Sequence, residues 1–288
     1  MGWADIEESK CQSQTTSMTR LALLADLHFG SVPHGLEELL LDDLAAAAPD
    51  AVIIAGDLTM AATEAEFAAA RAWLDRLPLK RIIVPGNHDI PKFNVIQRFL
   101  WPFQRFEAVI GPDERDPLAL AQCHVVGLNT VASWQPHLSW QEGRVRRRSV
   151  ARFARSISET PPDKFRVAVA HHPFAKVPDM ARARPVRRAA SMLDAFHANE
   201  VDLVLSGHTH QSYVLPIAGG RNHLIAVGAP TALSSRRRGE ENGYWLIDLS
   251  EERIALTRRL REGAAFMAGE PQIYGAQDYA VRLDAPGE

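Results

Sequence analysis

Side chains that can bind a metal ion or move a proton are concentrated in five short blocks of this sequence. In chain order the blocks are Asp26-Leu27-His28, Gly56-Asp57, Gly86-Asn87-His88-Asp89, His171-His172 and Gly207-His208-Thr209-His210. Imidazole, carboxylate and amide ligands together suit borderline divalent ions such as Mn, Fe or Zn, whereas calcium prefers oxygen ligands alone. The blocks therefore predict a metal site if the fold brings them together.

Each block follows a short apolar run that is typical of a buried strand. The runs cover 21–25, 51–55, 81–84, 166–170 and 201–206, and each ends close to a Gly, Asp or His. Short apolar runs with these boundaries are characteristic of a mostly parallel sheet. Because ligands collect beyond the carboxyl ends of the strands in open α/β sheets, we expect the blocks to converge on one site.

The remaining pattern predicts an α/β protein with a mixed sheet. Leucines at helical spacing predict a helix over 35–48, and Thr63-Glu64-Ala65-Glu66 predicts a capping box that opens a helix ending near Leu77. Further helices are predicted at 149–159 and 187–199. Further strands are predicted at 124–129, 165–170, 201–206, 212–217, 223–228 and 243–248, with an edge strand at 253–258.

We predict one domain with two appendages and one insertion. Residues 1–19 form a flexible N-terminal tail, 20–250 form the domain, and 251–288 add an edge strand and a tail. A cap-like helical insertion is expected at 90–122, where Pro102 argues against one unbroken helix. Its aromatic and cationic residues are compatible with a lid, with peripheral membrane contact through 93–110, or with a helical hairpin packed on the core.

Composition excludes several classes of protein. The net charge of −3 gives no basic field, which argues against a nucleic-acid partner. Cys11 and Cys123 form no framework for disulfides or structural zinc. The N-terminal residues lack the pattern of a signal peptide, and no apolar stretch reaches the roughly 18 residues of a membrane span. We therefore expect a soluble, cytoplasmic protein with no transmembrane segment.

In their order and spacing, the five blocks resemble the calcineurin-like metallophosphoesterase superfamily. Between His28 and Gly56 lie 27 residues, and between Asp57 and Gly86 lie 28. The resemblance covers roughly 20–250 and matches every block. It implies the metallophosphoesterase fold, an α/β four-layer α-β-β-α sandwich of two mixed sheets.

The resemblance also implies two divalent metal ions and roles for individual residues. By similarity, one ion is bound by Asp26, His28, Asp57 and His210, and the other by Asp57, Asn87, His171 and His208. Asn87 and His88 would contact the substrate. His88 would donate a proton or stabilise charge at the leaving group, and Asp89 would orient its ring. His172 is a second candidate ligand, although the family pattern favours His171.

Among the members of the superfamily, the sequence is most similar in type to bacterial phosphodiesterases, including class III cyclic nucleotide phosphodiesterases. We therefore predict an enzyme that hydrolyses a cyclic nucleotide or similar small anionic diester by attack of a metal-bridging hydroxide. One alternative is a nucleotide-lipid pyrophosphate hydrolase of the UDP-diacylglucosamine type. Another, from a different class, is a non-catalytic scaffold that keeps the fold for binding.

Residues outside the blocks have simpler interpretations. His34, His124, His137, His197 and His223 are expected to be structural. The arginines at 144, 146–148 and 236–238 could clamp a phosphate, or they could form a solvated face.

Overall fold

The computed structural model describes residues 18–92, 94–133, 142–178, 180, 184–219, 224–251 and 253–275. The predicted tail at 1–19 lies almost entirely outside these ranges, as do His137 and His223. The helices are α1 (Leu36–Ala47), α2 (Glu64–Leu74), α3 (Val95–Leu100), α4 (Gln104–Val109), α5 (Arg147–Ser158) and α6 (Ala189–Ala198). The strands are β1 (Thr19–Leu24), β2 (Ala51–Ile54), β3 (Lys80–Ile83), β4 (Leu118–Ala119), β5 (Cys123–Leu128), β6 (Phe165–Ala170), β7 (Leu203–Ser206), β8 (Tyr213–Ile217), β9 (Leu224–Gly228), β10 (Gly243–Ser250), β11 (Arg253–Glu262), β12 (Ala265–Ala268) and β13 (Gln272–Gly275).

The strands form two mixed sheets. The first has the order β12-β11-β10-β1-β2-β3, with β13 also paired to β11, and the second has the order β4-β5-β6-β7-β9-β8. Strands β1, β2 and β3 are parallel to one another, and so are β5, β6, β7 and β9. β10, β11, β12 and β13 of the first sheet and β4 and β8 of the second pair with their neighbours in antiparallel orientation, whereas β3 forms a parallel edge of the first sheet.

Alternating side chains of the strands divide the core into layers. Leu23 and Ile53 of the first sheet pack between the sheets with Val169 and Leu205 of the second. The outer face of the first sheet is covered by α1, α2 and α4, and that of the second by α5 and α6. This four-layer arrangement of helices outside two mixed sheets confirms the predicted fold.

The parallel core strands direct the five blocks toward one edge of the sandwich. Strands β1, β2 and β3 run in the same direction and are followed by the first three blocks, while β6 and β7 are followed by the last two. The hydrogen bond from Gly207 N to the His171 carbonyl joins two of these loops at 3.0 Å. The bond from Asp26 N to the Gly56 carbonyl joins two others, also at 3.0 Å.

Local signals set the start of α2 as expected. The Glu66 amide donates to Thr63 Oγ1 at 3.2 Å, and the Thr63 amide donates to Glu66 Oε2 at 3.0 Å. This reciprocal pair is the predicted capping box, which satisfies amides that the first turn of a helix leaves without intrahelical partners.

Two short helices in the predicted insertion differ in how they contact the core: one packs against it, and the other exposes its apolar side chains. The helical conformation is interrupted between α3 and α4 around Pro102, in agreement with the expectation of no continuous helix. Helix α4 buries Phe106 against the core that α2 shares, with Ile110 just beyond its end. Helix α3 leaves its apolar side chains exposed. Within the described ranges, no helix is long and apolar enough to cross a bilayer.

Three short strands were missed, and one prediction about the sheet edge was wrong. Strand β11 is not an edge strand, because β12 and β13 pair with the side opposite β10. Part of the predicted C-terminal tail is therefore strand, and β4 is a further unpredicted strand. β12 and β13 have four residues each and little buried surface, so their own sequences carry a weak signal. Their pairing depends on the ten-residue length of β11.

Candidate metal centre

Most of the predicted ligands occupy sharp turns directly after the strands. Asp26, His28, Asp57, His208 and His210 all have positive φ, between 47° and 69°. They account for five of the nine non-glycine residues with positive φ in the described part of the chain. The left-handed region is costly for residues with a Cβ and persists where surrounding structure enforces it, which is typical of functional sites.

One group of side chains gathers around Asp26. His210 Nε2 lies 3.2 Å from Asp26 Oδ1, and His28 Nε2 lies 3.7 Å from the same oxygen. The Nε2 atoms of His28 and His210 are 3.4 Å apart, and Asp57 Oδ2 is 3.7 Å from His28 Nε2. All four residues are buried, and their ligand atoms are close enough together to hold one metal ion.

A second group gathers around Asn87 and adjoins the first. Asn87 Oδ1 lies 3.1 Å from His171 Nε2 and 3.2 Å from His208 Nδ1, and the two ring nitrogens are 3.2 Å apart. Atoms that share an ion at about 2.1 Å lie about 3 Å apart, so these distances suit a small divalent ion. Asp57 Oδ2 is 3.4 Å from His171 Nε2, so this carboxylate reaches both groups.

His172 lies beside the second group and has a partner of its own. Its Nδ1 is 2.8 Å from Thr130 Oγ1, and its ring centroid lies 4.6 Å from that of His208. With His171 and His208 it forms another set of groups that could hold an ion. His171, and not His172, has a ring nitrogen within 3.5 Å of both Asp57 and Asn87.

Backbone carbonyls orient three of the imidazoles. The Nδ1 atoms of His28, His171 and His210 face the carbonyls of Thr59, Ala55 and Arg236 at 3.1, 2.9 and 2.6 Å. A carbonyl only accepts, so each Nδ1 carries the proton, and in the neutral ring Nε2 presents a lone pair to the centre. Burial lowers the pKa of His28 to about 4 and that of His208 to about 3, which keeps both rings neutral at pH 7.

The polar atoms of the centre fit divalent cations. Asp26 Oδ1 is buried and receives no hydrogen bond from the described residues, although two imidazole Nε2 atoms face it. Burial lowers the pKa of His210, but interactions with Asp26 and the Arg236 carbonyl together raise it by more, which shows that this carboxylate favours a positive charge beside it. A cation bound by these nitrogen and oxygen atoms supplies that charge, and the mixture of ligands suits Mn, Fe or Zn.

Two glycines allow the loops to approach this closely. A Cβ at Gly86 would lie 2.1 Å from Asp57 Oδ1, and one at Gly207 would lie 2.9 Å from Asp26 Oδ2. Side chains at these positions would displace two of the candidate ligands. The glycines that open the third and fifth blocks are therefore required by packing.

Asp89 does not orient the ring of His88, so that expectation was wrong. Its carboxylate accepts hydrogen bonds from the amides of Leu58, Thr59 and Gly86 and from Thr59 Oγ1. Asp89 thereby ties the second block to the third. Burial and the neighbouring charge of Asp57 raise the pKa of Asp89 to about 7, while the donating amides oppose that rise. The ring is held instead by the Met60 carbonyl, 2.7 Å from His88 Nδ1.

Arg236 is a site residue that the sequence indicated only weakly. Its Nη1 lies 3.1 Å from His88 Nε2, and its carbonyl accepts from His210. The only signal in the sequence was its position in the loop after the predicted strand at 223–228. Histidines outside the blocks lie elsewhere: His124 contacts Thr160, His197 packs near Gly219, and His34 is exposed on the surface.

A comparison with protein families identifies the chain. The model of the calcineurin-like phosphoesterases matches residues 19–212. The chain belongs to this family. Membership of the family makes this chain a hydrolase. Members of the family are metal-dependent, and the clustered Asp and His side chains of this chain could hold metal ions.

Individual relatives agree with the family. A probable cyclic nucleotide phosphodiesterase of a Synechococcus species is 24% identical over 250 residues, which cover 78% of this chain and 85% of that protein. Among solved structures, a dimetal phosphatase from Danio rerio is similar with a TM-score of 0.63 and 13% identity, covering 87% of this chain and 98% of that one. A purple acid phosphatase from yellow lupin has a TM-score of 0.64 and 12% identity. The similarity covers 95% of this chain but only 57% of the lupin enzyme.

The fold also occurs in a protein that is described as an anchor. GAP50, the anchor in the inner membrane complex of Plasmodium, matches with a TM-score of 0.57 and 12% identity, covering 91% of this chain and 90% of that one. At such identities the likeness concerns the fold alone, so arguments about function must come from the site.

Proposed function

We propose that this protein hydrolyses small anionic phosphodiesters at a binuclear metal centre. The carrying observation is the pair of adjoining ligand groups that share Asp57, with a buried carboxylate oxygen on Asp26 that lacks a hydrogen-bond donor among the described residues. Asp26, His28, Asp57 and His210 would hold one ion, and Asp57, Asn87, His171 and His208 the other. A cyclic nucleotide is one candidate substrate, and the similarity to the Synechococcus relative supports it.

Charge supports an anionic substrate. When bound, two divalent ions supply positive charge and lower the pKa of coordinated water to about 7. The carboxylates of Asp26 and Asp57 offset half of the four positive charges, and the histidine and asparagine ligands are neutral. A substrate that brings negative charge is therefore favoured over a neutral one.

His88 and Arg236 would act together on the substrate. The Met60 carbonyl holds the Nδ1 proton of His88, so in the neutral ring Nε2 accepts from Arg236 Nη1. A neutral ring in this tautomer has no proton on Nε2 to donate. Of the two predicted roles for His88, the geometry therefore favours charge stabilisation, with the guanidinium of Arg236 supplying the charge. Asn87 would contact the substrate beside them.

The direct test is turnover of bis(p-nitrophenyl) phosphate by protein loaded with Mn²⁺, compared with p-nitrophenyl phosphate, cAMP and double-stranded DNA. We expect the diester to be preferred over the monoester and DNA to resist hydrolysis. His208→Asn should abolish turnover and lower the bound metal measured by mass spectrometry, whereas His124→Asn, outside the centre, should retain both. No turnover of any phosphoester by protein that holds two metal ions would refute the proposal.

The role of Arg236 has its own test. Arg236→Gln removes the guanidinium but keeps the carbonyl that binds His210, so metal content should stay unchanged. We expect kcat for the diester to fall by about 10²-fold or more, a loss typical of a removed charge-stabilising donor. Arg237→Gln is the control, because Arg237 is exposed and pairs with Glu241. Equal kcat values for the two variants would exclude Arg236 from the chemistry.

The main competing function is a scaffold that keeps the fold without catalysis; GAP50, which shares the fold, is described as an anchor. All seven ligand positions of the family pattern carry metal-binding side chains here, which supports the enzyme instead. Metal analysis separates the two, since a scaffold has no need for stoichiometric metal. The cytoplasmic location expected from the sequence stays a prediction, which localisation of a tagged full-length chain would test.

A further inference from the structure

Helix α3 has the reverse of the usual amphipathic arrangement. Its only buried residue is Arg98, which is 7% exposed. The apolar side chains of the helix and of the residue after it are exposed: Val95 59%, Ile96 71%, Phe99 47%, Leu100 60% and Trp101 58%. Apolar residues normally face the core of a soluble protein, and contiguous exposed apolar patches mark interaction sites.

The polar contacts of Arg98 hold α3 in this orientation. Its Nη1 donates to the Pro91 carbonyl at 3.0 Å, and its Nε donates to the Ser133 carbonyl at 3.2 Å. Pro91 lies two positions after Asp89, in the loop that continues from the metal centre. The exposed apolar patch, defined as Val95, Ile96, Phe99, Leu100 and Trp101, therefore belongs to a segment that Arg98 anchors to the loop after the third block.

The second contact of Arg98 leads to a strongly cationic cavity. Ser133 lines a surface cavity of about 560 Å³ together with Arg144, Arg146, Arg147, Arg148 and Arg188. Glu142, two positions before Arg144, pairs with Arg184, which lies outside this group of five arginines. Burial lowers the pKa of Arg146, and the charges of Arg148 and Arg144 lower it further, as expected where cations crowd together.

The start of α5 adds to this positive field. Arg147 and Arg148 occupy its first turn, which contains no acidic residue, and Arg146 is its N-cap. The N-terminus of a helix carries partial positive charge and is normally stabilised by acidic side chains. Cations at this position are unfavourable for the isolated protein, so binding of a negatively charged partner would stabilise this end of the helix.

We propose that the exposed apolar patch and the arginine cavity together form a docking surface for an anionic lipid bilayer. A bilayer surface offers apolar chains to Ile96, Leu100 and Trp101, and anionic headgroups to the arginines, in the combination that interfacial protein segments use. Docking here would bring α3 and the start of α5 to the lipid surface. The surface extends beyond the proposed function and does not depend on it.

Charge distinguishes the bilayer from a second copy of the chain. In a two-fold dimer the partner presents the same surface, which offers apolar and cationic side chains but no carboxylate to the arginines. Like charges at such an interface are unfavourable, whereas anionic headgroups neutralise them. We therefore assign the surface to lipid, and self-association becomes an outcome that the test can detect.

The test is co-sedimentation of the full chain, loaded with metal, with vesicles of phosphatidylglycerol and phosphatidylcholine in equal parts, or of phosphatidylcholine alone. The apolar variant is Ile96→Ser with Trp101→Ser, and the charge variant is Arg147→Gln with Arg148→Gln. Matched controls are Met267→Ser with Ile273→Ser, which are exposed apolar residues on β12 and β13, and Arg253→Gln with Arg261→Gln on β11.

We expect binding to the anionic vesicles that weakens with added salt. The charge variant should bind about 25-fold more weakly, at about fivefold per arginine. The apolar variant should bind at least about tenfold more weakly. Both controls should stay within about twofold of the wild type. The substituted side chains are exposed except that of Arg261, which is half-buried, and circular dichroism should show the fold unchanged in every variant.

Several outcomes would overturn the proposal. They are the absence of binding to anionic vesicles, equal binding to phosphatidylcholine alone, or equal losses in the control variants. A wild-type dimer that the apolar variant converts to a monomer, without vesicle binding, would reassign the face to self-association. Sedimentation needs no turnover, and bis(p-nitrophenyl) phosphate hydrolysis needs no vesicles, so failure of this proposal and failure of the proposed function are distinguishable.

Discussion

Replacing Asp57 by Asn should remove most of the stabilisation that metal ions give the protein. Asp57 Oδ2 lies 3.7 Å from His28 Nε2 and 3.4 Å from His171 Nε2. Both distances allow the two atoms to share an ion at about 2.1 Å. We therefore predict that Asp57 is a ligand common to both groups and that its loss weakens the binding of both ions.

The size of the effect follows from linkage between binding and unfolding. With Mn²⁺ at about 100 times the dissociation constant, each site stabilises the wild type by about 2.7 kcal/mol, or about 5 kcal/mol for two sites. For a domain of this size, that corresponds to a rise in Tm of about 10–20 °C. If affinity falls by about 100-fold, the stabilisation falls to about 0.4 kcal/mol per site, and Tm should rise by only about 2–3 °C.

In the metal-free protein the same substitution should destabilise the fold modestly. Burial raises the pKa of Asp57, but the neighbouring imidazoles of His171, His88 and His28 together lower it by more, so this pKa lies below its ordinary value. The ionised carboxylate therefore stabilises the folded protein at neutral pH. Asn removes that charge and keeps an oxygen to accept from His88 N, which donates to Oδ1 at 2.8 Å. The metal-free variant should therefore melt below the wild type.

The assay is thermal unfolding followed by circular dichroism, with EDTA and then with Mn²⁺. Asp50→Asn is the control, because Asp50 accepts from Arg20 N away from the centre and should leave the Mn²⁺-induced rise intact. A Mn²⁺-induced rise in Asp57→Asn equal to that of the wild type would refute the shared-ligand reasoning. A metal-free variant that melts at or above the wild type would refute the electrostatic part.

Three further predictions concern packing, pH and capping. Gly86→Ala places a Cβ 2.1 Å from Asp57 Oδ1, so we expect the free energy of unfolding to fall by about 1–3 kcal/mol and the metal content to decrease. Gly111→Ala is the control, because the space around Gly111 is open. This variant should match the wild type in both melting and metal analysis. Burial raises the pKa of Asp202 to about 6, so the free energy of unfolding should decrease as the pH rises from about 4 to about 6. In urea titrations, Asp202→Asn should therefore gain up to about 3 kcal/mol at pH 8 and almost nothing at pH 4. Equal gains at the two pH values would contradict this assignment. Thr63→Ala should cost about 1 kcal/mol in the same titrations, because it removes the cap of α2 while metal content stays unchanged.

The apolar runs and the blocks after them were sufficient to predict the layers of the fold. β1, β2, β6 and β7 are fully or largely buried, so their composition carries a strong signal. The capping box at Thr63 and the break at Pro102 were predictable because both depend on neighbouring residues alone. In contrast, β12 and β13 are paired strands only because β11 extends far enough to receive them.

The site was predictable in its residue types and less so in its contacts. Asp89 is adjacent to His88 in sequence, yet its carboxylate turns toward the amides of Leu58 and Thr59. The Met60 carbonyl orients the ring of His88 instead, and a carbonyl has no signature in the sequence because every residue has one. Arg236 reaches His88 across 148 positions of the chain, a distance over which spacing carries no information.

The sequence by itself determined which groups can bind metal, which strands they follow and to which edge of the sheets they belong. It could do so because residue type and local apolar periodicity act over a few neighbouring positions. Only the tertiary structure decided that Asp57 touches both ligand groups, that Arg236 faces His88, and that α3 turns Arg98 inward and its apolar side chains outward. These features depend on side chains and carbonyls that meet after the two sheets pack face to face. Their partners are distant in the chain, so the physical preferences of the individual residues do not specify them.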